Sequence, residues 1–398
     1  MDFRLSEEQM SIRKTVREFA RKEVRPVAAV YDKKADPKDC FPWELLKKAS
    51  ALGLRTCAAP KKWGGDDTDM LTRMIICEEL GSGDSGFSTI ISIMMKTCHM
   101  LGLYLNEEQQ KEFFPKIMED DTYLVSTAVT EPDSATDIHL PYDEPGVGMK
   151  TFAYRDGNEY VINGVKHFIT AGGIAKLCVV YTRTDKNKPV TQAVSGFLVP
   201  KETPGFQVAG FHDMLGKRLQ GNAELVFQDA RVPARYLIGA ENKMFSTRME
   251  VWAESVLTTL AAGLGEARTC YEETKDYATI RVQGGKPIIE HSSIGCRIVD
   301  MYFNIEAART LLWKVAWSWD TKEDYDPKMV YLTKAFVNEA VLKIIENAME
   351  VYAGWGAQKE MPVEKHLRNA WNSLHGGSTP TVNRLKAMKL LLKSLSTK

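Results

Sequence analysis

The sequence predicts an α+β protein of several domains, with a β region between two helical regions. Apolar residues recur at helical spacing up to residue 122, at a spacing of two from 123 to 238, and at helical spacing again beyond. These two periods distinguish helices from half-buried strands. We therefore expect an N-terminal helical domain over 1–122, a middle β-barrel or sandwich domain over 123–238, and a C-terminal four-helix-bundle domain over 239–398.

The N-terminal region carries signals for helix starts and ends. Ser6 and Gln9, three positions apart, form a capping-box pattern at the start of the first helix, and Pro26 is expected to end or kink that helix. The glycines of segment 61–65 predict a loop. Further helices are predicted over three segments: 43–52, 71–80 and 107–118.

Two features predict the architecture of the remaining chain. Asn163 and Gly164 lie between alternating apolar residues, a pattern that predicts a hairpin turn. Beyond residue 242, long stretches with few helix breakers predict a bundle. Its helices are expected over four segments: 249–277, 292–319, 327–352 and 381–395.

Composition narrows the class of protein. Lys+Arg and Asp+Glu both number 52, so the formal net charge is zero and no overall field favours nucleic acid. The most apolar stretch, 89–105, is interrupted by Lys96 and His99 and is too short for a membrane span. The first residues lack the pattern of a signal peptide. Dispersed cysteines without a CxxC pair predict reduced thiols and a cytoplasmic location, and no metal-ligand spacing is present.

Two short segments carry the strongest functional signal. They are Thr-Ala-Val-Thr-Glu-Pro-Asp-Ser-Ala-Thr-Asp over 127–137 and Ile-Asn-Gly-Val-Lys-His-Phe-Ile-Thr over 162–170. Together they resemble the flavin-binding signature of the acyl-CoA dehydrogenase family. Further segments resemble the later blocks of that family in the expected order, so that the resemblance covers nearly the whole chain: 281–287, 290–291, 352–356 and 362–368.

This resemblance implies a homotetramer with one FAD per subunit, held between the β domain and the C-terminal bundle. It implies oxidation of an acyl-CoA thioester to the α,β-unsaturated enoyl-CoA. Hydride would pass from the β-carbon to flavin N5, and an electron-transferring flavoprotein would be the acceptor. The resemblance assigns cofactor binding to the following positions: Thr127, Val129, Thr130, Ala135, Thr136, Phe168, Thr170, Arg281, Gln283, His291, Glu350, Gly354 and Ser378.

Some of these positions have a defined role in the family. Thr130 would bond the flavin ring, with Phe168 and Thr170 beside it. Arg281 would reach the FAD pyrophosphate of a neighbouring subunit, because a guanidinium suits that anion. Simpler interpretations are a capped strand end for Thr130, core packing for Phe168 and a surface ion pair for Arg281.

The expected cofactor contacts depart from the family's pattern at four positions. Ala135 and Thr136 stand where Gly-Ser is usual, and Gly284 stands where an aromatic residue is usual. Glu350 replaces a glutamine near the adenine end, and a glutamate near phosphates adds repulsion. These changes predict weakened FAD affinity.

The usual catalytic base is missing. Removing the α-proton needs a polarised thioester carbonyl and a nearby base. The family's glutamate position is Gly376 here, which keeps only the backbone N–H that would hold that carbonyl. The family's other base position falls on Ser255, directly after Glu254. Because neighbouring helix positions differ by ~100°, Glu254 needs a local irregularity of the helix to become a relocated base. Otherwise it is a solvated helix residue.

Other groups near the expected site have two interpretations each. His375 is a second candidate base or a packing histidine. A third family position for the base offers Ser92 and Lys96 but no carboxylate, although Lys96 would pair with a substrate that carries a second carboxylate. Segment 138–149 is an apparent insertion that reshapes the acyl pocket, covers the pantetheine channel, or forms a surface loop.

Three functions are compatible with the sequence. The first is an acyl-CoA dehydrogenase with a relocated base. The second is a flavoenzyme of the same fold that performs enoyl-CoA reduction, decarboxylation, elimination or oxygen-dependent oxidation, some of which need no base at the α-carbon. The third is a catalytically silent subunit that binds CoA esters.

Overall fold

The helix–β–helix order is confirmed by the computed structural model, which describes residues 4–396 apart from the side chains at 248–250. The Ser6–Gln9 capping box is present, with two hydrogen bonds of 3.1 Å. Pro26 does not end the first helix, because a π-helical turn at Ala20–Val24 precedes it and the helix continues. The N-terminal helices are α1 Glu7–Phe19, α2 Arg25–Tyr31, α3 Trp43–Ala51, α4 Met70–Gly81, α5 Ser85–Tyr104 and α6 Glu107–Glu119.

The middle region forms one mixed sheet. Its strands are β1 Val125–Ala128, β2 Phe152–Asp156, β3 Glu159–Ile169, β4 Leu177–Arg183, β5 Val194–Pro200, β6 Phe206–Phe211, β7 Ala223–Pro233 and β8 Leu237–Ile238. The strand order is β6-β7-β3-β2-β4-β5-β8, and β1 pairs in parallel with β4. A short helix, α7 Thr136–His139, follows β1.

The predicted hairpin turn at Asn163 and Gly164 is wrong. Strand β3 runs straight through both residues, and the turn between β2 and β3 lies earlier, at Gly157 and Asn158. Gly164 has a φ of +145°, and a Cβ there would lie 2.7 Å from the Cα of Thr151. The glycine therefore marks a close approach of two backbones and a break in strand register, not a turn.

The C-terminal region contains five helices where four were expected. The additional helix, α11, begins with Pro362 in its first turn, a position that tolerates proline. A two-stranded ribbon of β9 Val282–Gln283 and β10 Lys286–Pro287 separates the first two helices. The helices are α8 Met244–Ile280, α9 Ser292–Thr321, α10 Pro327–Tyr352, α11 Pro362–His375 and α12 Pro380–Ser396.

Helix α8 connects the two helical regions, because it packs against α4 and α5 on one side and against α9 and α10 on another. Its 37 residues are continuously helical. All seven cysteines are free thiols, six of them buried. Among residues 4–396, no helix is long and apolar enough to cross a membrane, and no group of side chains has the composition of a metal site.

A buried ion cluster joins α1, α4 and α8. Arg17 and Arg268 both bond the carboxylate of Glu79, at 2.7 and 2.6 Å, and Glu79 is 1% exposed. Burial alone would raise the pKa of Glu79, but the hydrogen bonds from these arginines lower it from 4.5 to about 2. Because the folded-state pKa is depressed, the stabilisation is complete above pH 4.5 and is lost as the pH falls toward 2.

We expect Glu79→Gln to lower the free energy of unfolding at pH 7 by about 3 kcal/mol, the equivalent of the pKa shift. The variant should also lose much of the wild-type decline in stability below pH 4.5. Urea unfolding at pH 7 and pH 3.5 measures both effects. The control is Glu18→Gln, which removes an exposed carboxylate of α1 that pairs with Lys22 in the following π-helical turn. Equal stability of the two variants at pH 7 would contradict the assignment.

Candidate functional site

The rim of the sheet brings the two flavin-like segments together. The carbonyl of Thr130, just after β1, accepts the N–H of His167 in β3 at 2.8 Å. Next to it, Phe168 has a φ of +55° and a side chain that is 54% exposed. The interpretation of Phe168 as a core residue is therefore wrong. A large aromatic side chain held open in a strained backbone is typical of a binding surface.

Two histidine rings surround this phenylalanine. The centroids of His167 and His212 lie 4.2 and 4.8 Å from that of Phe168, and His212 Nε2 accepts the Phe168 N–H at 3.3 Å. Burial and the neighbouring His167 lower the pKa of His212. The two imidazole rings thus hold the Phe168 ring in place, and a planar ligand can stack on the exposed part of that ring.

A buried ion pair holds the loop between β1 and α7. Lys166 Nζ contacts Glu131 Oε1 at 2.7 Å and the carbonyl of Val129 at 3.0 Å, and both charged side chains are almost fully buried. Although burial opposes it, Lys166 lowers the pKa of Glu131. Lys96 of α5 donates to Thr127 Oγ1 at 2.8 Å. The two lysines therefore hold the flavin-like segment, Lys166 through the backbone carbonyl of Val129 and Lys96 through the side chain of Thr127.

The insertion is attached at both ends. Ile138 and Met149 are buried, whereas Tyr142 in the middle is 58% exposed. Arg183 of β4 donates to the carbonyls of Val147 and Met149 at 2.6 and 3.1 Å. The surface-loop interpretation thus holds only for the tip. The guanidinium also bonds the loop that borders a polar cavity of about 500 Å³, lined by Lys188, Thr191, Gln192, Glu241, Asn242, Lys243 and Ser246.

The loop at 376–378 ends α11 and faces α8. Gly376 donates its N–H to the carbonyl of Asn372 at 3.2 Å, as the last hydrogen bond of the helix. Its own carbonyl accepts Lys334 Nζ at 2.8 Å, and the carbonyl of Gly377 accepts Trp252 Nε1 at 3.1 Å. The amide expected to hold a thioester is therefore already engaged in the helix.

Lys334 was not found from the sequence. It is 2% exposed, its carbonyl partner carries no charge, and burial, aided by the nearby Lys217, lowers its pKa to about 7. Buried lysines are rare unless paired with a carboxylate. One feature of the sequence could have identified Lys334 as buried. It stands among apolar residues at helical spacing, with Val330 and Val341 on the same buried side of α10.

His375 does not join the loop's contacts with α8. Its Nδ1 lies 3.2 Å from the carbonyl of Trp371 in its own helix, and the side chain is exposed. It borders a cavity of about 650 Å³ between α10, the end of α11 and the start of α12. The neighbouring Ser378 accepts the Asn383 amide at 2.9 Å through Oγ.

Glu254 is buried, so the solvated interpretation is wrong. Its carboxylate contacts the guanidinium of Arg73, and its Oε2 lies 2.8 Å from His99 Nδ1. Helix α8 has no irregularity at this point. Trp252, two residues earlier, faces Gly377, so Glu254 points ~160° away from it, toward α4 and α5. The local rotation required for a direct base is not present.

The remaining predicted cofactor residues lie at the far end of α8. Stacking of Tyr277 on Tyr352, at 4.3 Å between centroids, brings the ends of α8 and α10 together. Arg281 has no ion pair among the described residues, whereas Glu350 pairs with Arg297 at 3.6 Å. This end is separated from Trp252 by roughly 40 Å of helix. The group comprises Arg281, Gln283, His291, Glu350 and Gly354.

Gly284 and the His291 side chain lie next to each other in this group. A Cβ on Gly284 would lie 3.2 Å from Cε1 of His291, whose Nε2 contacts the Gln283 carbonyl at 3.0 Å. The imidazole therefore fills the place into which a side chain at 284 would begin. The φ of +57° at Gly284 also favours glycine at this position.

Comparison with known proteins agrees with this geometry. Sequence models of the acyl-CoA dehydrogenase N-terminal, middle and C-terminal domains match residues 6–121, 126–230 and 246–379. An acyl-CoA dehydrogenase of Bacillus subtilis is 32% identical over 389 residues, 98% of this chain and 99% of that protein. The structure of butyryl-CoA dehydrogenase from Megasphaera elsdenii superposes with a TM-score of 0.90, at 29% identity, covering 98% of this chain and 100% of that one.

A further structural relative is PigA with FAD and proline, at a TM-score of 0.90 and 25% identity, covering 98% of this chain and 99% of the other. The three matched domains span the helical, sheet and helical regions in order. The chain therefore belongs to the acyl-CoA dehydrogenase family of flavin oxidoreductases, which act on CH–CH groups.

Proposed function

We propose that this protein oxidises an acyl-CoA thioester to the α,β-unsaturated enoyl-CoA with FAD as its cofactor. The observation that carries the proposal is the sheet rim, where exposed Phe168 and the backbone of Thr130 adjoin in a chain that matches the family in all three domains. Bound FAD would supply the hydride acceptor. An electron-transferring flavoprotein is the proposed acceptor of its electrons.

The residues at the rim fit an isoalloxazine ring. Phe168 offers an open aromatic face, and the segment around Thr130 is held rigid by the ion pair of Lys166 with Glu131. A rigid first contact lowers the entropy cost of ordering a ligand. Lys96, bonded to Thr127, would lie beside the same ring.

We further propose that the base is relocated to α5, where Glu254 acts through His99. Glu254 holds one ring nitrogen of His99 and is itself held by Arg73. His99 keeps 28% of its side chain exposed and lies about one helical turn from the buried Lys96 on the same side of α5. A carboxylate that orients an imidazole leaves its second nitrogen ready to take a proton.

A second function is favoured by one observation. The loop at 376–378 carries no carboxylate. Its Gly376 instead contacts a lysine, because the ammonium of Lys334 donates to the Gly376 carbonyl. Such a site suits decarboxylation, in which the broken C–C bond leaves its electron pair on the acyl chain and no α-proton has to be removed. A silent CoA-binding subunit remains the third alternative.

Anaerobic titration with a panel of acyl-CoAs tests these functions. Bleaching of the flavin absorbance by a saturated acyl-CoA without a further functional group is expected for the proposed oxidation. Release of CO2 from an ester that carries a second carboxylate, without bleaching, would move the assignment to the second function, because that reaction leaves the flavin oxidised. A spectral shift with neither bleaching nor product from any ester would identify a binding subunit.

We also propose that a second copy of the chain completes the cofactor site in a homotetramer. Thr130 adjoins the exposed Phe168 on the sheet, whereas Arg281 lies at the far end of α8, roughly 40 Å of helix from Trp252. A second copy of the chain would bring its own Arg281 to the FAD held at Thr130. Exposed apolar side chains on α9 and α12 suit such contacts: Val299, Tyr302, Phe303, Leu391, Leu392 and Leu395.

We expect Arg281→Gln to weaken FAD binding by about tenfold to a hundredfold, since a guanidinium–phosphate pair is a charge-assisted contact. Flavin fluorescence titration of the apoprotein measures the change, with Arg231→Gln, at an exposed site on the sheet, as the control. Mixed oligomers of Arg281→Gln and Thr130→Val should recover part of the affinity, because one of their sites is intact. No recovery would contradict the contribution from a second subunit.

A further inference from the structure

Two buried lysines have no carboxylate partner. Lys217 and Lys334 are 5% and 2% exposed, and neither forms an ion pair with any of the described residues. Lys217 Nζ donates to Thr89 Oγ1 at 3.4 Å, and Lys334 Nζ donates to the carbonyl of Gly376 at 2.8 Å. Each ammonium group has three donors, and the acceptor that each contacts carries no charge. Because lysine is almost never fully buried unless it is paired, this pair of cations lacks an anion.

The acids that act on Lys217 serve other partners. The carboxylate of Glu266 contacts His366 at 3.0 Å and accepts the Asn369 amide at 2.7 Å. Asp84 forms its ion pair with a lysine of α11. Burial lowers the pKa of Lys217 to about 8, although Glu266 and Asp84 raise it. These acids therefore reduce the cost of burying the ammonium of Lys217 without neutralising it.

The backbone of Lys217 is also held in an unfavourable conformation. Its φ is +52°, a left-handed value that is uncommon for residues other than glycine. Its N–H donates to Asn369 Oδ1 at 2.6 Å, and a Cβ on Gly86 of α5 would lie 3.1 Å from its Cα. Strain that the surrounding structure imposes at one residue is typical of functional positions. Lys217 thus combines a strained backbone with a buried charge, and neither stabilises the fold.

The two lysines belong to one place in the structure. Asn369, which holds Lys217, and Gly376, which accepts Lys334, lie seven residues apart on α11, about 10 Å along the helix. After burial, the charge of Lys217 is the second cause that lowers the pKa of Lys334. Gly376 is exposed, and a Cβ on it would meet no atom closer than 3.7 Å. The pair of cations is therefore reached from an open loop.

The neighbouring side of α5 is polar in an otherwise apolar helix. Ser92 contacts Thr258 of α8 at 2.7 Å, and Lys96 donates to Thr127 of the flavin-like segment at 2.8 Å. A hydrocarbon chain against these groups would exclude water from them without offering a hydrogen bond, which is costly. This side of the helix therefore suits an acyl group that carries polar atoms. Its polar residues recur at spacings of three and four: Thr89, Ser92, Lys96 and His99.

We propose that Lys217 and Lys334 bind a second carboxylate on the acyl group, so that the preferred substrate is the CoA monoester of a dicarboxylic acid. The inference rests on the proposed function and specifies the substrate class of the same site. A carboxylate accepts N–H donors from both ammonium groups and offsets the repulsion between them. The proposed oxidation leaves this carboxylate unchanged, so that it serves to bind and orient the acyl group.

The test compares esters that differ only in the charge of the terminal group. Succinyl-CoA and glutaryl-CoA end in a carboxylate, and succinamoyl-CoA and glutaramoyl-CoA carry a carboxamide of the same size in its place. Anaerobic stopped-flow reduction of the FAD-loaded wild type measures kcat/KM for flavin reduction by each ester. At one chain length or both, the carboxylate ester should react with a value about tenfold to a hundredfold higher, the effect of charge-assisted hydrogen bonds.

In Lys217→Met this ratio should fall close to one. The variant should unfold at no lower temperature than the wild type, because an apolar side chain replaces a buried cation without an ion pair. Lys334→Met gives a second measure of the same loss. The control is Lys343→Met, at an exposed lysine of α10, which removes the same charge and should keep the wild-type ratio.

Two results would overturn the inference and leave the proposed function intact. One is a ratio near one in the wild type at both chain lengths while the carboxamide esters still bleach the flavin. The other is a wild-type ratio in both Lys217→Met and Lys334→Met. Absence of bleaching by all four esters and by neutral acyl-CoAs would instead overturn the proposed function together with the inference.

Discussion

Replacing Gly376 by glutamate is expected to raise the rate of flavin reduction by a saturated acyl-CoA about a hundredfold, the lower range for a positioned general base. The change is sterically possible. Gly376 has φ −60° and ψ 125°, a conformation open to every L-residue, and a Cβ there would come no closer than 3.7 Å to another atom. The carboxylate would also stand near the cation Lys334, which favours its ionised form.

Gly376→Gln is the matched control, since it adds the same bulk without a base. Stopped-flow reduction under anaerobic conditions separates the two variants, and their flavin content should be equal. If the glutamate and glutamine variants reduce the flavin equally slowly, the remaining site is not arranged for removal of an α-proton. That result would favour decarboxylation as the natural reaction.

The sequence predicted the architecture because its periods are long and regular. Helix α10 was expected over 327–352 and lies at Pro327–Tyr352, between a first-turn proline and the end of an uninterrupted apolar pattern. The turn at Asn163 and Gly164 failed because the same dipeptide serves a close backbone approach inside a strand. The residues next to Asn163 and Gly164 do not show whether the pair forms a turn or a close backbone approach. That depends on Thr151, which packs against Gly164 from the segment before β2.

The site was predicted in part for a similar reason. The aromatic position at Phe168 and the empty base position at Gly376 could be located by motif. The partners of these motifs could not, because Lys334, Trp252 and Arg73 come from helices distant in the sequence. Glu254 shows the same limit. Its position in α8 was known, but only the packing of α4 and α5 shows that its carboxylate is shared between Arg73 and His99.

The proposed relay through His99 makes the second large prediction. His99→Gln should reduce the rate of flavin reduction by at least about a hundredfold while leaving FAD content and thermal stability close to wild type. Glutamine keeps a polar group against Glu254, and the 28% exposure of His99 limits the loss of packing. His375→Gln, at the exposed histidine that ends α11 and contacts the Trp371 carbonyl of its own helix, is the control for a general effect of removing an imidazole and should keep a rate close to wild type.

Glu254→Gln alone would be ambiguous. It removes the partner of buried Arg73, and an unpaired buried charge costs roughly 3–5 kcal/mol. A loss of activity in that variant could therefore come from partial unfolding.

The double variant His99→Gln with Gly376→Glu avoids this problem, because it leaves the Arg73–Glu254 pair in place and adds a carboxylate at the loop. If His99 is the proton acceptor, the added glutamate should restore most of the lost rate. If the double variant is as slow as His99→Gln while Gly376→Glu alone is fast, His99 is needed for the geometry of the site and not as its base.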